Sequence, residues 1–262
     1  MSETTVLMDI DARGVATITL NRADKHNAFD DAVIALLTRR FEAAAADKQV
    51  RAVVLAATGK SFSAGADLAW MQRMAGYSYE ENRRDADALA QMLNTLNTLP
   101  KPTIARVQGA AFGGAVGLVG CCDMAVASRS ASFCLSEVKI GLIPATISPY
   151  VIAAMGARAA RRYFITAERF SAATAAGLGL VSEAVEAAQL DPVIDQWLEH
   201  ILANSPAAIV AAKQLIADIG DRPITESLIA DTSERIARIR VSAQGQEGLQ
   251  AFLEKRKPNY RA

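Results

Sequence analysis

Two glycine-containing turns and one glutamate are the residues here whose types and spacing could do chemistry. The first turn is Phe62-Ser63-Ala64-Gly65-Ala66-Asp67-Leu68, and the second is Ala111-Phe112-Gly113-Gly114-Ala115. Small residues let backbone come close to a ligand. The first N–H groups of a helix lack an internal partner and carry partial positive charge. Two such N–H groups, one from each turn, converging on one oxygen would make an oxyanion hole. Either turn alone reads as an ordinary tight turn. Glu137 lies in the mostly apolar stretch Phe133–Gly141. Desolvation there would raise its pKa toward the range useful for proton transfer. The bland alternative is a loop glutamate paired with a lysine or arginine.

The surrounding pattern supplies elements to position these groups. Val6–Ile10 and Val15–Leu20 read as a hairpin turning at Asp11–Gly14. Asp30 is placed to cap a helix reaching about Asp47, with Val33, Leu36, Leu37 and Phe41 on one face. Residues 53–56 form a short buried strand, and a helix over about Tyr79–Thr98 stops before Pro100. Each glycine turn thus follows a strand: 53–56 precedes the first, and Thr103–Val107 the second. A short helix at Ala115–Cys122 and a strand at Asp123–Ser128 come next. From Pro149 onward the pattern is mostly helical. Asp191-Pro192 reads as a cap followed by proline at the first helical position. Further helices are predicted over Pro206–Ile219, Ile224–Arg240 and Gly245–Lys255.

The chain as a whole excludes several classes of function. Its 262 residues are 51% hydrophobic, and acidic and basic residues balance at 28 each. A neutral chain lacks the basic stripe that displaces counterions from phosphates, so no nucleic-acid partner is expected. No apolar run approaches the roughly 20 residues of a spanning helix, and no secretory leader is visible. Cys121, Cys122 and Cys134 suit neither a disulfide framework nor a zinc set. They read as reduced core residues of a cytoplasmic protein.

Other motifs fail on spacing. Gly59-Lys60-Ser61 would need a glycine at Val54 to close a phosphate loop. Gly113-Gly114 lacks the GxGxxG spacing of a dinucleotide site. No GxSxG elbow is present. Of the two histidines, His200 falls on a polar helix face and reads as solvated. His26 lies in a loop beside a lysine. No metal ligand cluster and no redox cofactor are expected.

The two turns and Glu137, in this order, resemble the crotonase (enoyl-CoA hydratase/isomerase) family. The resemblance spans about Val15 to Pro258. It includes Leu20-Asn21-Arg22 with Asn27-Ala28, residues 64–68, Pro102–Ala105 leading into the second turn, Cys122-Asp123, and Glu247-Gly248 to Lys255–Pro258. The resemblance implies an α/β fold, a ClpP-like spiral of strand–strand–helix units over 1–190. A C-terminal helical region over 191–262 would drive trimerisation, and trimers often pair into hexamers. The resemblance places the oxyanion N–H groups on Ala66 and Gly114 and the catalytic carboxylate on Glu137. It lines coenzyme A, a part of the substrate and not a cofactor, with Lys25, His26, Ala28, Ala64, Gly65, Asp67 and Leu68. Phe252 and Lys255 would approach the coenzyme A of a neighbouring subunit.

Typical hydratases of the family carry a second glutamate, where this chain has Gly117. The usual loop glycine after Pro144 is Ala145, whose backbone N–H is retained. The stretches 67–71, 79–82, 117–123, 133–137, 143–150 and 158–169 resemble the bacterial methylglutaconyl-CoA hydratase branch, whose members also tend to have glycine at the first position. This implies hydration or dehydration of a branched, carboxylated enoyl-CoA through Glu137 alone. An isomerase shuttling one proton and a non-catalytic coenzyme A-binding protein are the alternatives. A carboxylated acyl group calls for a cation, for which Arg73, then Arg83, are the candidates; a solvated helix face is the competing reading for both.

Overall fold

A computed structural model describes residues 3–220 and 222–260. Strands β1 (Val6–Ile10) and β2 (Val15–Leu20) form the expected antiparallel hairpin. Asp11 closes its turn by accepting from the Arg13 and Val15 N–H groups at 2.9 Å each. Helix α1 (Asp31–Ala46) begins where expected: the Asp30 side chain accepts from the Val33 N–H at 3.0 Å. Its buried residues are Val33, Ile34, Leu36, Leu37, Phe41 and Ala44, which include all four expected there.

Strand β3 (Ala52–Ala57) leads into the first glycine turn and then α2 (Leu68–Met74). Helix α3 (Tyr79–Asn97) opens with a reciprocal cap between Ser78 and Glu81 and packs Met92, Leu93 and Leu96 inward against α1. Strand β4 (Thr103–Val107) is followed by the two-residue strand β5 (Ala111–Phe112), inside the segment expected to be only a turn. Helix α4 (Gly114–Cys121) is buried on nearly every side. Strands β6 (Met124–Ser128) and β7 (Ser132–Cys134) precede a 3-10 turn at Glu137–Ile140. Strand β6 starts one residue later than expected, and the Asp123 carboxylate before it accepts from Thr103 and Lys213.

Helix α5 (Ser148–Thr166) breaks at Gly156, whose φ of 77° is non-helical. Strand β8 (Phe170–Ser171), α6 (Ala172–Leu178) and β9 (Glu183–Val185) interrupt the run expected to be helical. Helix α7 (Leu190–Leu202) does not use Asp191 as a cap. Asp191 lies inside its first turn and binds Arg106 at 2.6 and 2.9 Å, a stronger call on the carboxylate than the helix N–H groups. Helices α8 (Pro206–Ile219), α9 (Glu226–Val241) and α10 (Ala243–Leu253) follow, capped by Ser205, Thr225 and Ser242.

The strands form two sheets. The larger runs β1-β2-β3-β4-β6-β9, parallel after the first hairpin, and the smaller runs β5-β7-β8. Each pass enters the large sheet, contributes a short extended segment to a second layer, and returns through a helix. Isolated parallel bridges extend this second layer: Phe29 pairs with Ala66, and Ser63 with Ala111. Ala111 and Phe112 pair in turn with Phe133 and Cys134. Successive passes are therefore stacked, which brings the 62–68, 111–115 and 133–137 segments side by side.

Most of the core lies inside this stack, filled by Phe29, Phe41, Phe62, Leu93, Phe133 and their neighbours. A smaller apolar layer joins Val15, Val54, Ile104 and Val126 on the outer sheet face to Leu190, Ile194 and Leu198 of α7. Helices α8 to α10 bury little: no residue of α8, Leu228 of α9 and Ala251 of α10. No helix among the described residues is long and apolar enough to cross a membrane.

Candidate active site

The first glycine turn is shaped by Gly65. Its φ of 89° suits glycine, and a Cβ there would meet the Phe112 carbonyl oxygen at 2.8 Å. The two turns are thus in direct contact. Phe29 donates its N–H to the Gly65 carbonyl at 2.9 Å and accepts from the Asp67 N–H at 3.0 Å. In such a parallel bridge the intervening residue, Ala66, turns its own N–H to the opposite side. In the second turn, Gly113 donates to the Cys134 carbonyl at 2.8 Å and has a φ of 54°. That geometry releases the Gly114 N–H as the first of α4. Ala66 and Gly114 are half-buried, while Gly65, Asp67, Gly113 and Ala115 around them are buried. The N–H groups of Ala66 and Gly114 thus belong to two turns that are in contact through Gly65 and Phe112.

Glu137 stands beside them. A Cβ added at Gly113 would lie 3.3 Å from its Oε1. The side chain is half-buried, and Oε2 is buried with no hydrogen-bond partner. No ion pair engages it among the described residues, so the paired-loop alternative does not describe it. Burial pushes its carboxyl above the usual range, and its own backbone N–H offsets only part of that. A carboxyl raised above its usual range, with a free oxygen, is suited both to take and to return a proton.

Position 117 is closed. A Cβ on Gly117 would meet Ile147 Cγ2 at 2.3 Å and Cβ at 2.7 Å, with Leu93 Cδ2 at 3.4 Å. No second acid fits there without moving Ile147. The Ala145 N–H, expected to remain available, donates to the Ile143 carbonyl at 2.8 Å. The tight bend after Pro144 takes it up.

The other expected residues divide into two groups. Lys25 Nζ lies 3.4 Å from the Asp67 carboxylate, and His26 Nδ1 lies 3.2 Å from the Ser61 hydroxyl. His26 holds a left-handed φ of 50°, and its carbonyl accepts from the Ala64 N–H at 2.9 Å. Ala28 is buried, Ala64 is exposed, and Leu68 is 76% exposed. These residues border the first turn. Asp67 itself faces inward. Burial would raise its carboxyl, but the Ala69 N–H, Lys25 and Arg22 outweigh that and hold it below the usual range. Phe252, 82% exposed, and Lys255 lie on or just past α10, which packs on α8 and α9. Within one chain they are not part of the cluster around Glu137.

Arg73 and Arg83 are both paired at the surface, Arg73 with Asp31 at 2.5 Å and Arg83 with Asp87 at 3.1 Å. Neither is a free cation, which favours the solvated-face reading. His200 is exposed, as expected. Cys121 and Cys134 are buried thiols and Cys122 is partly buried; burial pushes all three above the usual range. Among the described residues no three His, Cys, Asp or Glu side chains group as metal ligands would. Arg22, Phe29 and Ile147 were not singled out from sequence. Arg22 and Ile147 stood inside stretches that carry the family resemblance, whereas nothing local marks Phe29.

A profile for enoyl-CoA hydratase/isomerase matches residues 11–262. The chain belongs to this family. Its fold is that of solved family members. An enoyl-CoA hydratase from Shewanella pealeana is 49% identical, with a TM-score of 0.95 over 97% of this chain and 95% of that one. An enoyl-CoA hydratase from Mycobacterium smegmatis is 38% identical, with a TM-score of 0.92 over 98% and 99%. The 2,3-dehydroadipyl-CoA hydratase of Escherichia coli is 30% identical over 94% of this chain and 95% of its own length.

Proposed function

We propose that this family member is an enoyl-CoA hydratase that works with one carboxylate, Glu137, and the N–H groups of Ala66 and Gly114. The observation that carries the reading is the buried, unpartnered Oε2 of Glu137 beside the Gly113-Gly114 turn. The thioester oxygen accepts from the two N–H groups. Glu137 as carboxylate takes a proton from water, and the water oxygen bonds to the β-carbon. The double-bond electrons move onto the thioester oxygen, held as an enolate by the two donors. Glu137, now protonated, delivers its proton to the α-carbon as the carbonyl re-forms. Both transfers occur on the same face, so addition is syn.

The substrate class proposed is a branched, carboxylated enoyl-CoA such as 3-methylglutaconyl-CoA. Support comes from the sequence resemblance to that branch and from a relative whose name specifies a carboxylated enoyl-CoA. Lys25, His26, Ala28, Ala64, Gly65, Asp67 and Leu68 are the proposed coenzyme A surface, and Phe252 and Lys255 the proposed contribution of a neighbouring copy. The exposed Ile140, Leu142 and Ile143, and the sparsely buried helices α8 to α10, support a trimer or a pair of trimers. We also propose that the reaction uses no metal or redox cofactor, and that the chain works in the cytoplasm as a spiral core, 1–190, with a helical region, 191–262.

The closed position 117 gives a second reading specific support: one carboxylate also suffices to move a double bond by shuttling a proton. A panel of thioesters separates the two. Loss of conjugated-thioester absorbance with methylglutaconyl-CoA, faster than with crotonyl-CoA, is the expected result. Conversion of 3-enoyl-CoA alone, without hydration of any 2-enoyl-CoA, would establish isomerisation instead.

A further inference from the structure

The two glycine turns must hold still for the Ala66 and Gly114 N–H groups to point at one oxygen, and one residue touches both. The backbone of Phe29 brackets Ala66 through Gly65 and Asp67. The ring of Phe29 lies against Gly114, where a Cβ would meet Cζ at 2.7 Å and Cε2 at 3.2 Å. The same residue therefore fixes the direction of one donor and supports the other. Phe29 is 2% exposed, so no solvent gap lets either turn drift.

The segment carrying Phe29 is itself tied down by Arg22. Its Nη1 donates to the Ala28 carbonyl at 2.8 Å and to Asp30 at 3.3 Å; its Nη2 donates to Asp67 at 3.0 Å. The guanidinium side chain is 12% exposed and each carboxylate 7%. Asp30 and Asp67 also cap α1 and α2, accepting from the Val33 and Ala69 N–H groups at 3.0 and 2.9 Å. One planar fork thus joins the starts of two helices, one on each side of the Phe29–Ala66 bridge. A lysine has the charge but not the three-way reach.

We propose that Phe29 and Arg22 are positioning residues of the oxyanion hole: Phe29 sets the spacing of the Ala66 and Gly114 N–H groups, and Arg22 locks Phe29 against Asp67. The inference rests on the thioester reading above. Both side chains are largely buried and engaged by the protein itself. Their effect is on the geometry of donors whose misplacement by about 1 Å can cost on the order of 100-fold.

The test uses the full chain with Phe29→Leu and Arg22→Lys, each assayed well below its melting temperature. A chromophoric enoyl thioester, cinnamoyl-CoA, reports donor geometry directly, because two aligned N–H groups polarise its carbonyl and shift its absorbance to the red. Expected is a kcat lower by about 10- to 100-fold, with KM changed by less than about threefold, and a smaller red shift at saturation. Folded variants with the native red shift and native kcat would overturn the proposal, leaving Phe29 and Arg22 as core and cap residues only. The native protein separates the two levels of inference. If it neither shifts cinnamoyl-CoA nor turns over any enoyl thioester, the thioester reading fails, whatever the variants do.

Discussion

Glu137→Gln should inactivate the protein and stabilise it at the same time. The amide keeps the shape but exchanges no protons, so turnover should fall by about 10²- to 10⁴-fold, the usual contribution of general acid–base catalysis. The stability change follows from burial. The Glu137 carboxyl is raised above the usual range by desolvation, and its Oε2 has no partner. The folded chain therefore holds a proton that the unfolded chain has already lost. Stability contributed by the protonated form is lost as pH rises from the unfolded pKa through the higher folded one. Once ionised, above its raised folded pKa, the native carboxylate is a poorly solvated charge that the amide variant lacks. An unsatisfied buried polar group costs about 1–3 kcal/mol, and more when charged. The amide retains an orphan atom, so about 1–2 kcal/mol should return, or about 2–8 °C in melting temperature for a chain of this size. Thermal unfolding across pH 4 to 8, beside thioester turnover, measures both. The gap should close as pH falls toward the ordinary glutamate pKa of about 4.3. A Gln variant less stable than the native chain at neutral pH would refute the desolvated, unpartnered carboxylate. One turning over at the native rate would refute its role.

Ala66→Pro removes a proposed donor and should lower turnover by roughly 100-fold or more; a folded variant with normal turnover would contradict the assignment. Gly117→Ala drives a methyl into Ile147 and should destabilise by about 1–3 kcal/mol, measured by denaturant unfolding. Ile147→Ala in the same chain should recover part of that loss, and strictly additive effects would show the contact is not what limits position 117. Arg73→Met and Arg83→Met should change turnover of methylglutaconyl-CoA and crotonyl-CoA equally, since both arginines are held by Asp31 and Asp87; a selective loss with the carboxylated substrate would restore them as its partners.

Several features were legible without any structure. The cap at Asp30, the hairpin at Asp11–Gly14 and the stripe of α1 depend on residues within a few positions of one another. The two glycine turns and Glu137 were visible for the same local reason: small residues after a strand, and a carboxylate among apolar neighbours. Asp191 shows the limit. Its neighbours read as a helix start, but its partner is Arg106, on a distant strand, and the ion pair takes the carboxylate.

What the sequence alone determined is which backbone can approach a ligand and which carboxylate sits in apolar surroundings. Only the tertiary structure brings these segments to one place. The stacked passes of the second layer pair Phe29 with Ala66, Ser63 with Ala111 and Phe112 with Cys134, and hydrogen bonds between passes leave no trace in local composition. Likewise, a glycine at 117 says that a side chain is absent. That Ile147 fills the space, so that Glu137 has no second acid there, follows from packing between α4 and the start of α5, which only close-packed coordinates reveal.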